Sequence, residues 1–119
     1  MAGSGAGAGA PDIVPLPAEI DITNYTAAAA MLLGAVDNAS GLLIADMTGT
    51  TFCDSSGMRM LLAAHDRAAA NGSTLRVVIR PGSAVSRGLA ILGIDRVLSL
   101  YATVEEARAG HPATRLPMT

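Results

Sequence analysis

Two short apolar runs, Leu42–Met47 and Leu75–Ile79, are each followed by a turn and an amphipathic segment, and this alternation restricts the fold more than any other feature. Both runs are too short for typical helices and are bounded by turn residues, the pattern of strands buried on both faces of a sheet. After the first run, Thr50–Ala69 reads TTFCDSSGMRMLLAAHDRAA. From Ser55 onward Met58, Leu61, Leu62, Ala68 and Ala69 recur at three and four residues, while Arg59, Asp66 and Arg67 fall mainly off that stripe. A helix is therefore expected from Ser55 to the Asn71-Gly72 turn. After the second run, Pro81, Gly82 and Ser83 turn the chain into a helix carrying Val85, Leu89 and Leu92, which ends at Gly93.

The flanks extend the alternation. Ile13–Leu16 and Ala18–Ile22 can be extended, but Pro15 and Pro17 each lack a ladder donor, which confines the segment to a sheet edge. Thr23 or Asn24 can cap a helix running to about Asp37, with Ala27, Met31 and Leu32 at helical spacing. A last short strand is expected near Val97–Leu100, and Thr103 can cap a final helix through Arg108. Regular strand–helix alternation gives an α/β domain with parallel strand pairs joined by right-handed crossovers. The 119 residues, half of them hydrophobic, suit one such domain. We expect a Gly/Ala leader over 1–11, the domain over 12–109, and a loose tail over 110–119 that includes His111.

Composition excludes several functions. The net charge is −2 and all eight basic residues are arginines scattered along the chain, without the clustered positive charge that binds a phosphate backbone. Aromatic residues are 3%, so platforms for base stacking are lacking as well. Nucleic acid is not an expected partner. Cys53 is the only cysteine, which rules out an intramolecular disulfide and cysteine-rich zinc sites and fits a cytoplasmic setting. The first ten residues lack the basic and apolar parts of a signal peptide, and the ten-residue apolar run Ala27–Val36 falls well short of the ~20 needed to cross a bilayer. No membrane association is expected.

The chemistry concentrates at Asp54-Ser55-Ser56-Gly57, a strand-to-helix junction of the kind where α/β sheets place functional loops. Asp54 suits an N-cap that accepts backbone N–H bonds, with Ser55 and Ser56 in the first turn. Gly57, lacking a side chain, lets a protein or phosphate approach the backbone at a cost of up to ~1 kcal/mol in helix propensity. Asp-Ser-Ser is equally good capping chemistry with no further role, and residues alone leave both readings open. A serine in such a turn also invites comparison with the nucleophile elbow of hydrolases, but that elbow is Gly-x-Ser-x-Gly, a spacing absent here. His65 lies ten residues past Ser55, roughly 15 Å along a helix axis, too far for direct proton transfer. No catalytic residue, metal ligand or cofactor is expected. Cys53 reads as a small core residue, Met47, Met58 and Met60 as mainly core, with Met58 able to reach a partner surface.

In order and context these segments resemble the STAS domain of bacterial anti-sigma factor antagonists, over roughly Ile13–Ala107. The likeness rests on the buried strand ending in Asp46, on Phe52-Cys53-Asp54-Ser55-Ser56-Gly57-Met58, on the Asn71-Gly72 turn into a strand, and on Leu92-Gly93-Ile94. Ala18-Glu19-Ile20-Asp21 is similar to the family's Gly-Glu-Leu-Asp. The resemblance implies a single α/β domain, with a small mixed β-sheet flanked by helices, and a cytoplasmic switch protein of the stress-response type with no enzymatic activity. It implies that Ser55 is phosphorylated by an anti-sigma factor that is itself a serine kinase, and that a PP2C-type phosphatase reverses this. ATP and magnesium belong to the kinase. The implied partner surface comprises Asp21, Thr23, Asn24, Asp54, Ser56, Gly57, Met58 and Arg59, on a monomer. A STAS scaffold, or a module that binds protein or nucleotide without phosphorylation, is the alternative.

Overall fold

The computed structural model describes residues 12–110. The expected leader and all but the first residue of the expected tail, His111 included, lie outside the described residues. Four strands form one sheet in the order β1 (Asp12–Pro15), β3 (Leu42–Asp46), β5 (Thr74–Val78), β6 (Ser99–Tyr101). Two shorter strands, β2 (Glu19–Ile20) and β4 (Phe52–Cys53), pair with each other as a second, two-stranded sheet. The helices are α1 (Tyr25–Asn38), α2 (Ser55–Ala70), α3 (Ala84–Ile91) and α4 (Val104–Ala109), with a 3-10 turn at Ile94–Arg96. Every strand pairing among the described residues is parallel, so over this range the expected mixed sheet is a parallel one.

Register follows burial. In β3, Leu43 and Ala45 face one side and Ile44 the other, and all three are buried, as a central strand requires. The first face carries the main core, where Leu32, Val36, Leu61, Leu75, Val77 and Leu89 pack together. The second face is smaller: Ile44, Val78 and Tyr101 pack against Ala107 of α4. Arg76 secures that helix, donating through Nη1 to the Ala107 carbonyl at 2.8 Å, with its guanidinium 5.9 Å from the Tyr101 ring centroid. β1 is an edge strand, where Pro15 is tolerated, and Leu16 N–H continues the ladder to the Asp46 carbonyl at 2.9 Å. The Ala18–Ile22 segment does not extend this edge. It contributes only Glu19 and Ile20 as strand, paired with β4.

The α1 stripe is Ala28, Leu32 and Val36, one residue displaced from the expected Ala27 and Met31, which are exposed. Neither Thr23 nor Asn24 caps this helix with its side chain. Asn24 instead accepts from Asp21 N–H at 2.8 Å and donates to the Glu19 carbonyl at 2.8 Å, folding the β2–α1 loop on itself. α2 buries Met58, Met60, Leu61, Ala64 and Ala68 as an amphipathic helix should, and leaves Ala69 exposed. It ends with Gly72 at φ 77° and with Ser73 N–H bonded to the Ala68 carbonyl at 2.7 Å, a Schellman-type stop that favours glycine. Asp37 joins the far ends of α1 and α2, accepting from Arg67 Nε at 2.9 Å and Nη2 at 2.7 Å. That guanidinium holds the Asp37 carboxyl below its usual range. α3 ends at Ile91, so Leu92, assigned to it by periodicity, follows the helix and is 51% exposed.

Candidate functional site

The site is built around Asp54, which leaves β4 in an extended conformation and caps α2. Its Oδ1 accepts from Ser56 N–H at 2.9 Å and Gly57 N–H at 3.2 Å. These are two of the donors that every helix leaves unpaired at its start. Its Oδ2 accepts from the backbone N–H of Ile22 at 3.1 Å, and Asp54 N–H itself donates to the Ile20 carbonyl at 3.0 Å. One residue therefore ties the Asp21–Asn24 loop to the start of α2. An N-cap at Asp54 is legible from its neighbours in the chain; the cross-link to Ile22 joins segments far apart and carries no local signal.

Ser55 is the first helical residue and is exposed, and Ser56 is half-buried beside it. Asp21, the other carboxylate of the neighbourhood, accepts from the Thr23 hydroxyl and from Thr23 N–H at 2.9 Å, bonds that hold its carboxyl below the ordinary range. Asp21, Thr23 and Asn24 thus form one self-bonded loop adjoining Asp54.

Gly57 serves the packing and does not open the backbone to a visitor. It is buried, and a Cβ there would stand 2.5 Å from Cys53 Sγ and 2.7 Å from Ile20 Cγ2. The absent side chain lets α2 pack closely on the β2–β4 pair. Met58, expected to reach a partner surface, is only 5% exposed, and its methyl group fills the space beside Gly88 of α3. Both residues stand behind the surface and do not form part of it. Cys53 is buried as expected, and burial, with the Asp54 charge next to it, pushes its thiol up to about 11.

Beside the loop a groove of about 430 Å³ runs between α1 and α2. Tyr25, Ala29 and Leu33 line one wall, Ser56, Arg59, Met60 and Ala63 the other, and Ile22 closes one end. Ile22 is 66% exposed, placing an apolar side chain next to the polar Asp21–Asn24 loop residues. From sequence, Ile22 is expected at the end of an extended segment, and Tyr25 is not singled out. The available signal was an isoleucine set between Asp21 and Thr23. His65 lies on α2 ten residues past Ser55, and among the described residues no group of three His, Cys, Asp or Glu could hold a metal ion. No described helix is long and apolar enough to cross a membrane.

The crystal structure of an anti-sigma factor antagonist from Mycobacterium paratuberculosis superposes on this chain with a TM-score of 0.74. The two chains are 23% identical, and the match covers 82% of each, a likeness that speaks for the fold. No curated protein matches this chain. The model of the STAS domain matches residues 8–107, spanning the sheet, the capped α2 and the Asp21–Asn24 loop, and the chain therefore belongs to the STAS domain family.

Proposed function

We propose that this protein is an anti-sigma factor antagonist which, in its unmodified form, binds an anti-sigma factor and so frees a sigma factor. The anti-sigma factor is itself the serine kinase that modifies Ser55 with ATP and magnesium; modification ends the complex, and a PP2C-type phosphatase restores it. Membership of the STAS family, and a fold shared with an anti-sigma factor antagonist, support the general role. The observation that carries the switch is the exposed Ser55 at the first position of α2, beside the loop anchored by Asp54.

The energetics separate folding from binding. A phosphate adds about −1.5 to −2 charges, and a helix N-terminus favours negative charge by roughly 0.3–1 kcal/mol, so the domain accommodates it. At a docked interface an uncompensated charge costs several kcal/mol, and each ~1.4 kcal/mol is tenfold in affinity. Phosphorylation then changes the partner's affinity and leaves the fold alone. Asp21, Thr23, Asn24, Asp54, Ser56 and Arg59 are the proposed contact surface, positioned from behind by Gly57 and Met58.

Phosphopeptide mapping after incubation with the cognate kinase and ATP tests the assignment. The expected product carries one phosphate on Ser55. Modification confined to Ser56, or none at all, removes it.

A further inference from the structure

Arg59 follows Ser55 by four residues on α2, and both side chains are exposed. Residues at that spacing are neighbours on a helix surface, their Cβ atoms about 5–6 Å apart, and the acid-before-base order is the favourable one. Among the described residues of the unmodified chain, the only ion pair is Arg67–Asp37, and Arg59 makes none. It is instead the one charged residue lining the α1–α2 groove, whose other walls include Ile22, Tyr25, Leu33 and Met60. An unpaired guanidinium beside apolar side chains selects a partner that presents a carboxylate next to an apolar group.

A phosphate on Ser55 would find two of the nearby backbone donors taken. The N–H groups of Ser56 and Gly57, which would otherwise receive an anion at this helix start, are already bonded to the Asp54 carboxylate. With those two donors taken, the guanidinium one turn along offers a planar fork of donors suited to it.

We propose that Arg59 is the residue through which modification of Ser55 is read: unmodified, its guanidinium serves the groove and the partner's carboxylate; phosphorylated, it swings onto the Ser55 phosphate and leaves the groove. This rests on the assignment of Ser55 above. The partner loses a cationic contact at the same moment that it meets a new anion, so one modification acts twice.

The test needs no partner. Full-length protein is made with phosphoserine placed genetically at position 55, as wild type, Arg59→Gln and Arg59→Lys, and the phosphate is titrated by phosphorus NMR. Asp21 and Asp54 act on the phosphate equally in all three, so differences isolate Arg59. The second ionisation is expected to rise by about 0.3 pH unit or more in Arg59→Gln, with Arg59→Lys between the two. Proton NOEs from the Arg59 δ-methylene to Tyr25 and Met60 are expected in the unmodified protein and expected to weaken on phosphorylation. Equal titration of wild type and Arg59→Gln, or unchanged NOEs, overturns the proposal while leaving the Ser55 switch standing. Equal affinity of the anti-sigma factor for modified and unmodified wild type would instead remove the switch itself.

Discussion

The Asp54 carboxylate accepts the backbone N–H of Ile22 at 3.1 Å, across 32 residues of chain. The same carboxylate caps α2, so helix start and loop are held in one arrangement by one side chain. Whatever docks on this corner meets the Ile22 backbone and Ser55 in a fixed relation.

Replacing Asp54 therefore undoes two things at once. Asp54→Ala is expected to lower stability by about 1–2 kcal/mol, the upper range for a lost N-cap, in urea unfolding. Amide exchange should quicken at Ile22, Ser56 and Gly57 together. Asp54→Asn, which still offers an acceptor, is expected to lose less. Faster exchange confined to Ser56 and Gly57 would mean that the Ile22 bond contributes nothing.

At Gly57, helix propensity and packing oppose each other. Alanine is the better helix former by up to ~1 kcal/mol, but its Cβ would press on Cys53 Sγ at 2.5 Å and Ile20 Cγ2 at 2.7 Å. Ile20 is fully buried and branched at Cβ, so it has little freedom to yield. Overpacking of this kind costs about 1–3 kcal/mol, so Gly57→Ala is expected to be destabilising in net. Adding Cys53→Ala should recover part of the loss. A Gly57→Ala protein as stable as wild type would refute the close-packing account.

Ser55 should be permissive for folding and restrictive for binding. Ser55→Ala and Ser55→Asp are both expected to unfold within about 1 kcal/mol of wild type, since an exposed first-turn position tolerates either and the dipole welcomes the aspartate. Titration calorimetry with the anti-sigma factor should separate them: Ser55→Ala binds and cannot be released by the kinase, Ser55→Asp binds at least tenfold more weakly. Equal binding of the two variants would argue against charge as the switching principle.

The Cys53 thiol, raised from 9.0 to about 11, should be nearly inert at pH 8. Two pH units correspond to ~100-fold less thiolate than in an unshifted cysteine, and alkylation by iodoacetamide should be slowed at least that much in the folded protein. Stability depends on pH in the matching direction. The folded-state value lies above the unfolded one, so the contribution is complete below pH 9 and is lost as pH rises from about 9 to 11. Cys53→Ala should flatten that part of the stability curve. Rapid labelling at pH 8 without unfolding would contradict the burial.

Much of this was legible in the chain because its strands are short and cleanly bounded. Leu42–Met47 and Leu75–Ile79 each lie within one residue of an observed strand, and Asp54 was recognisable as a cap by its position between a strand and an amphipathic stripe. The α1 register was not legible, because Ala27 to Ala30 are alike and only tertiary packing selects Ala28. β4 was missed since two residues, Phe52 and Cys53, carry no periodicity; they are strand only because Glu19 and Ile20 lie alongside. The same holds for the site. Asp54 declares itself as a cap by type and position, and Ser55 and Arg59 stand out only through the family resemblance, whereas the exposure of Ile22 and the burial of Met58 depend on which neighbours the fold supplies.

The second face of the sheet is shut by a helix of six residues, fastened at its end by the single guanidinium of Arg76. Little apolar surface must be uncovered to lift such a door, so this face of β3, β5 and β6 is expected to meet solvent first by its opening, well short of general unfolding. The larger face, on which the helix carrying Ser55 packs, has no such short cover and is expected to open only with the whole domain.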